Sequence, residues 1–265
     1  MIYTAGIDVG STYVKAIILN ENGDLVGSAI HSTGFLIEET SKNMLEEARE
    51  RAGINSADIG CITTAGFGRS MVSFRNTQVT DLIAQSWGVR ALYPATHTII
   101  DIGGQTMKAI RLDDGGRVMN FRLNDKCAAG SGTFLEKTAH YLGYGIEEIA
   151  PLVERSTKAV PISGICAVFA ESEVINHISQ GEKPEDIMHG AMLSLTERSV
   201  SLMKQVQMQP EFTLVGGIMR FPVMARVLRE SLGGAANVPP ENLAQFTGAI
   251  GAALLARRHL EKKTD

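Results

Sequence analysis

Residues 7–17, with the sequence IDVGSTYVKAI, decide the fold because residues 100–110 repeat them as IDIGGQTMKAI. A shift of 93 residues, from 7 to 100, aligns the two copies without a gap, and eight of the 20 positions from 7 to 26 are identical. Ordinary residue frequencies would give roughly one or two identities. The chain therefore contains two duplicated units.

Each copy has the pattern of an apolar strand that ends in Asp-x-Gly, a tight polar turn, a second strand, a hairpin turn and a third strand. Helical spacing of apolar residues follows each copy, and a further strand over 212–215 ends in Gly216 and Gly217. The predicted helices cover 38–52, 80–92, 130–142, 168–179, 184–206 and 246–261. This alternation predicts an α/β fold with two similar lobes. We expect residues 1–95 to form the first lobe, completed by the terminal helix 246–265, and residues 96–245 to form the second.

Composition excludes several classes of protein. A length of 265 residues suggests about two domains, and 25 basic against 29 acidic residues give a net charge of −4. The basic residues are scattered apart from a short C-terminal cluster, so we expect no nucleic-acid partner. No apolar run approaches the roughly 18 residues that span a bilayer, and the first residues lack the pattern of a secretory signal. We expect a cytoplasmic protein without a membrane partner.

The two Asp-x-Gly turns carry the candidate chemistry. A single copy could be a plain hairpin turn, but two copies in register favour a phosphate-binding site. Asp8 and Asp101 could hold a hydrated Mg²⁺, and both turns could contact phosphate oxygens. Lys15 could add a positive charge for the phosphates or could lie on a solvated strand face. The turn residues proposed to contact phosphate are Gly10, Ser11, Thr12, Gly103, Gly104 and Gln105.

At these motifs the sequence resembles a known superfamily. Three turns resemble, in order, the phosphate 1, phosphate 2 and adenosine motifs of the ATPases that include actin, sugar kinases and the 70-kDa chaperones. They are the DVGST turn at 8–12, the DIGGQ turn at 101–105 and the VGG turn at 215–217. Two further stretches, NDKCAAGSG at 124–132 and CAVFAESE at 166–173, resemble signatures of the 2-hydroxyacyl-CoA dehydratase activators and the benzoyl-CoA reductase ATPase subunits. The resemblance covers nearly the whole chain.

The resemblance implies an actin-like ATPase fold, also called ribonuclease H-like, with a nucleotide cleft between the lobes. It implies an oxygen-sensitive homodimer that uses ATP, with ADP as product, and Mg²⁺ to pass a low-potential electron from ferredoxin or flavodoxin to an iron–sulfur partner. That partner would be a 2-hydroxyacyl-CoA dehydratase, a benzoyl-CoA reductase or a double-cubane cluster protein. The implied catalytic residues are Asp8, Asp101 and Gln105. The nucleotide site would add Gly130, Ser131, Gly132, Gly216 and Gly217 to Lys15 and the turn residues.

The cysteines fit the same interpretation. Cys127 and Cys166 each precede a predicted helix, whose positive end favours a thiolate. Two thiolates per chain cannot complete a four-cysteine site, but two chains related by a two-fold axis can, with one 4Fe–4S cluster per dimer. Both residues could instead be small buried side chains. Cys61 lies within an apolar run and is assigned to the core.

The chain departs from the family pattern at Thr106, Thr133 and Ala167, where members usually have Asp, Arg and Thr. A sugar or acyl kinase would share the fold, but it needs an acceptor pocket for which the chain has little additional sequence. A chaperone-like switch would need a substrate-binding domain. Colour would separate these classes, because an anaerobically purified activase should be brown and the other two colourless.

Overall fold

The computed structural model of the protein describes residues 2–124, 131–163, 167–240 and 243–264. The chain divides into two compact units. Unit 1 comprises Met1–Thr96, Leu112–Val118 and Phe246–Asp265, and unit 2 comprises His97–Arg111 and Met119–Gln245.

Nine strands and eight α-helices are found in the described ranges. The strands are β1 (Tyr3–Val9), β2 (Tyr13–Leu19), β3 (Leu25–Ser32), β4 (Ile59–Ala65), β5 (Thr77–Gln78), β6 (Thr98–Ile102), β7 (Met107–Leu112), β8 (Val118–Asn124) and β9 (Phe212–Val215). The helices are α1 (Ile37–Ala52), α2 (Asp81–Leu92), α3 (Gly132–Tyr141), α4 (Ile149–Glu154), α5 (Ala167–Ser179), α6 (Pro184–Gln205), α7 (Pro222–Ser231) and α8 (Thr247–Thr264).

The sheet of unit 1 has the strand order β3-β2-β1-β4-β5. The hairpin β1–β2 is antiparallel, whereas β4 joins β1 in parallel. Ile7, Val9, Val14 and Ile18 point into a core that is completed by the apolar face of α1. Gly53 ends α1 in the left-handed conformation, with its N–H bonded to carbonyls of the last turn, as the sequence predicts.

Small residues allow α8 to pack unusually close to its neighbours in unit 1. A methyl group on Gly6 of β1 would lie 2.0 Å from the carbonyl oxygen of Ala249, and one on Gly251 would lie 1.8 Å from that of Ala84 in α2. Real side-chain carbons do not approach oxygen so closely, so these positions require glycine. This packing brings the first residues of α8 against the end of β1.

The sheet of unit 2 has the order β8-β7-β6-β9 and repeats the arrangement of unit 1. The hairpin β6–β7 is antiparallel, and β9 joins β6 in parallel. The duplicated hairpins that the repeat predicts are confirmed. Phe134 and Leu135 of α3 are buried in the core beside α4, α6 and α7. In the described part of the chain, no helix has the length and apolar character needed to cross a membrane.

Candidate functional site

Unit 1 places Asp8 near the end of β1, directly opposite Lys15 in the antiparallel strand β2. Lys15 Nζ lies 3.2 Å from Asp8 Oδ2, and the two side chains are only 16% and 18% exposed. The ammonium group is therefore directed at the strand-end carboxylate and is not on a solvated face.

Two glycines from other elements leave room for the Asp8 carboxylate. Gly66 follows β4, the parallel neighbour of β1, and a methyl group on it would lie 2.6 Å from Asp8 Oδ1. Gly248 is the second residue of α8, and a methyl group there would lie 3.3 Å from the Asp8 carboxyl carbon. The Asp8 carboxylate therefore lies beside the amino end of α8, where a helix carries positive partial charge.

The turn between β1 and β2 presents polar groups on a braced backbone. The Gly10 N–H donates to the Tyr13 carbonyl at 3.0 Å, and the Thr33 hydroxyl donates to the Gly10 carbonyl at 2.8 Å. Ser11 is exposed. Within the part of the chain that the structure describes, the Thr12 hydroxyl oxygen is buried and has no hydrogen-bond partner. Since a buried polar group without a partner costs about 1–3 kcal/mol, this turn favours a ligand that supplies one.

Unit 2 repeats the ion pair and its glycine. Asp101 in β6 lies opposite Lys108 in β7, with 3.4 Å between Lys108 Nζ and Asp101 Oδ2. Gly216 follows β9, the parallel neighbour of β6, and a methyl group on it would lie 2.6 Å from Asp101 Oδ1. In each unit, a strand-end aspartate thus lies between a lysine on one neighbouring strand and a glycine after the other. The duplication extends from sequence to local geometry.

The turn of unit 2 is braced by a helix. The Gly103 N–H donates to the Thr106 carbonyl at 2.8 Å and closes the turn. The Gly132 N–H donates to the Gly103 carbonyl at 2.9 Å. The N–H of Thr133 donates to the Gly104 carbonyl at 2.8 Å, and the Thr133 hydroxyl donates to the same oxygen. The turn carbonyls therefore satisfy N–H groups at the start of α3 that have no partner within the helix.

The glycine pair after β9 has the open backbone that a flat ring needs. Gly216 has φ +96°, and its N–H donates to the Ala244 carbonyl at 2.8 Å. Among the residues that the structure describes, a methyl group on Gly217 would meet no atom within 4 Å. The backbone of Gly217 can therefore lie directly against a ligand.

Nearly the whole chain matches one known protein family, because the model of the BadF/BadG/BcrA/BcrD ATPase family aligns with residues 5–256. This chain belongs to the BadF/BadG/BcrA/BcrD ATPase family. The family resemblance that the motifs indicate is confirmed.

Two relatives are similar along nearly their full lengths. The chain is 39% identical to the 2-hydroxyisocaproyl-CoA dehydratase activator of Clostridioides difficile, over 96% of this chain and 94% of that protein. It is 37% identical to the (R)-2-hydroxyglutaryl-CoA dehydratase activating ATPase of Acidaminococcus fermentans, over 98% of this chain and 99% of that protein.

Solved structures agree with the family assignment. The 2-hydroxyisocaproyl-CoA dehydratase activator from Clostridium difficile, solved with bound ADPNP, superposes with a TM-score of 0.92 at 37% identity, covering 99% of this chain and 97% of that one. A ROK family glucokinase from Streptomyces griseus reaches a TM-score of 0.58 at 15% identity, covering 97% and 99%, and shows the fold alone. The predicted fold class, that of the actin-like ATPases and sugar kinases, is confirmed.

The structure describes some of the remaining predicted site residues and not others. Gln105 is exposed in the turn of unit 2, and Ser131 is buried directly before α3. Gly130, Cys127 and Cys166 lie outside the described residues, so their roles stay predictions. Across residues 2–124, 131–163, 167–240 and 243–264, no group of three or more His, Cys, Asp or Glu side chains is arranged to hold a metal ion.

Cys61 belongs to the core of unit 1, as the sequence predicts. It lies in β4, and its side chain is buried. Burial raises the pKa of its thiol above the ordinary value. The uncharged thiol is therefore favoured, whereas a metal ligand must be a thiolate.

An ion pair joins the two helices that follow the cysteine segments. Lys137 Nζ of α3 lies 2.9 Å from Glu171 Oε1 of α5. The hydrogen bond to Glu171 raises the pKa of the Lys137 ammonium group. The Tyr141 hydroxyl also donates to Glu171, at 3.4 Å. The structure thus holds α3 and α5 together by polar contacts on their surfaces.

Sequence reasoning missed four residues of this candidate site. Lys108 occupies the position of Lys15 in the repeat, so the alignment of the two copies could have found it. Gly66 and Gly248 are separated from Asp8 by many residues, and only the fold brings them together. Thr133 was noted only as a departure from the family pattern, and its bond to Gly104 depends on how α3 meets the turn.

Proposed function

We propose that this protein is an ATP-dependent reductive activase that acts as a homodimer. Hydrolysis of ATP to ADP and phosphate would drive one electron from ferredoxin or flavodoxin to an iron–sulfur partner enzyme. The donor loses the electron that the partner gains. A reducing compartment such as the cytoplasm suits the thiolates that this chemistry requires.

The names of the relatives support this class of partner. Two proteins that are similar along nearly their full lengths are called activators of 2-hydroxyacyl-CoA dehydratases, and one of these names includes an ATPase. The partner of this chain would be such a dehydratase, a benzoyl-CoA reductase or a double-cubane cluster protein.

The two turns would bind the triphosphate. Asp8 and Asp101 would accept hydrogen bonds from water molecules on Mg²⁺, and Gln105 would orient the attacking water. The buried Thr12 hydroxyl, which lacks a partner among the described residues, supports a phosphate contact in the first turn. The open backbone at Gly217 supports binding of the adenosine at the end of β9.

The chemistry of the available thiols supports a shared 4Fe–4S cluster, bound by Cys127 and Cys166 from each protomer. Because Cys61 is buried in unit 1 and its thiol pKa is raised, only two cysteines per chain remain as ligands. Four thiolates are the usual ligand set of such a cluster, so two chains are needed. When bound, the cluster would accept and release a single electron.

One observation carries the proposal: the phosphate turn of unit 2 shares hydrogen bonds with the start of α3. The Gly103 and Gly104 carbonyls accept from Gly132 and Thr133, and α3 is the helix that follows the Cys127 segment. If the conformation of this turn differs between the ATP-bound and ADP-bound states, the first residues of α3 would therefore change with it. The Lys137–Glu171 contact would extend that change to α5, which follows the Cys166 segment.

The test uses iron chelation in the anaerobically purified wild-type protein. Bathophenanthroline should remove iron at different rates with Mg²⁺ and ATP than with Mg²⁺ and ADP, with the ATP state faster. In the Asp8→Asn variant the iron should remain bound and the difference should vanish. Equal rates in the two wild-type nucleotide states would refute coupling, and a colourless protein without iron would favour a kinase.

A further inference from the structure

Lys108 forms a charged pair with Asp101 near the end of the β6–β7 ladder. Because side chains alternate between the two faces of a sheet, the neighbouring pair on the face shared by Asp101 and Lys108 is Ile99 with Ile110, and both of these are buried. The Lys108 and Asp101 side chains are themselves only 15% and 10% exposed. The ion pair therefore lies largely out of water at the end of the strand.

Stability alone does not account for such a pair. Taking two charges out of water costs about as much as their attraction returns, and a well-packed apolar pair of similar size is often equally stable or more stable. The buried Ile99–Ile110 pair shows that this face of the sheet accepts an apolar pair. The ammonium group is therefore better explained by a ligand that it meets beside the turn.

The copy in unit 1 shows where such a lysine can reach. A methyl group on Gly10 would lie 3.3 Å from Lys15 Nζ, so the Lys15 ammonium lies against the backbone of the first phosphate turn. Lys108 begins from the equivalent strand position, seven residues after its aspartate, and its contact to that aspartate is slightly longer, 3.4 Å against 3.2 Å. Because the lysine side chain is a flexible four-carbon stem, we expect Lys108 to reach the Gly103 backbone by rotation of its side chain alone.

We propose that Lys108 binds the terminal phosphate of ATP and pairs with Asp101 only while the nucleotide is absent. This inference rests on the proposed function, because it assumes that the turns bind ATP. A phosphate oxygen would replace the carboxylate at the ammonium group, and Asp101 would then accept hydrogen bonds from the metal's water molecules. Lys108 would thereby favour the triphosphate over the diphosphate.

The experiment compares two variants that both lack the Asp101 charge. Lys108→Met alone would leave a buried carboxylate without its partner and could unfold unit 2. Asp101→Asn and the double variant Asp101→Asn/Lys108→Met avoid that problem, and thermal melting checks that both fold. Equilibrium dialysis with radiolabelled ATP or ADP, in EDTA and in Mg²⁺, gives the dissociation constants.

We expect the double variant to bind ATP about 10- to 100-fold more weakly than Asp101→Asn, in EDTA as well as in Mg²⁺. The loss of affinity for ADP should be clearly smaller. The double variant Asp101→Asn/Lys108→Arg should retain most of the affinity of Asp101→Asn. The control is the double variant Asp101→Asn/Lys204→Met, because Lys204 is an exposed lysine of α6 and its loss removes the same charge from unit 2. This control should have the same dissociation constants for ATP and for ADP as Asp101→Asn.

The outcomes separate this inference from the proposed function. Failure of the wild-type protein to bind ATP would overturn the proposed function itself. Wild-type binding together with equal ATP affinities for Asp101→Asn and Asp101→Asn/Lys108→Met would overturn only the role of Lys108. An equal loss for ATP and ADP would also overturn it, since the contact would then not be with the terminal phosphate.

Discussion

The two Asp-x-Gly turns share one geometry but are supported by different parts of the chain. In both, an aspartate near the end of a strand meets a lysine on the antiparallel neighbour and a glycine after the parallel neighbour. The first turn is braced by the hydroxyl of Thr33, and Asp8 lies at the start of α8. The second turn is braced by the first residues of α3.

From this difference we infer that ATP hydrolysis and the transmission of the nucleotide state to the cysteine segments can be changed independently. A duplicated hairpin provides both units with a carboxylate, an ammonium group and a glycine-containing turn. Among the described residues, only the second copy is hydrogen-bonded to a helix that follows a cysteine segment. We infer that both turns contribute to hydrolysis, whereas the turn of unit 2 transmits the nucleotide state.

The cysteines provide the largest expected difference between the units. Cys127→Ser or Cys166→Ser should each remove essentially all iron, because either change leaves only two thiolates per dimer. Cys61→Ala in unit 1 should leave the iron unchanged, since that thiol is buried in the core. Iron analysis of the anaerobic protein should give about four atoms per wild-type dimer. Four irons per monomer would contradict the shared site.

Substitution of the two aspartates tests whether both turns serve hydrolysis. Asp101→Asn should still bind nucleotide yet lose turnover by on the order of 10²-fold or more, because a positioned charge is removed from the reacting phosphate. Asp8→Asn should lose turnover to a similar extent. Phosphate release assays measure both rates, with nucleotide binding checked by dialysis. Wild-type turnover in either variant would place catalysis in the other turn alone.

Local sequence signals predicted most of the fold, and the missed helices have different causes. The repeat predicts both hairpins, and strand 212–215 agrees with β9 residue for residue. Helix α7 was missed although Pro222 occupies its first turn and its buried residues recur at helical spacing, so its signal was present. Helix α4 has six residues including Pro151, and so short a segment with a proline carries little helical signal.

The candidate site was predictable where it is local and not where it depends on tertiary contacts. The strand-end aspartates and the turn glycines lie next to one another in the sequence, so the motif identifies them. The contact of α3 with the second turn joins Thr133 to Gly104, 29 residues apart. No spacing rule predicts a bond between a loop carbonyl and a helix that begins after an intervening strand pair. The connection between turn and helix therefore had to come from the structure.

The smallest expected effect tests that connection directly. Thr133→Val removes the hydroxyl that donates to the Gly104 carbonyl but keeps the shape of the side chain and the backbone hydrogen bond. Iron content and ATP turnover should stay close to wild type, because no ligand of the nucleotide or the cluster changes.

The readout for Thr133→Val is the ratio of iron chelation rates in the ATP and ADP states. Loss of one hydrogen bond, worth about 0.5–1.5 kcal/mol, should reduce that ratio by about 2- to 10-fold if the bond transmits the nucleotide state. Thr138→Val is the matched control, because the Thr138 hydroxyl donates to the Phe134 carbonyl within α3 itself. The control should leave the ratio unchanged. If both valine variants change the chelation ratio equally, the cause is the stability of α3. The hydrogen bond between Thr133 and the turn of unit 2 would then not transmit the nucleotide state.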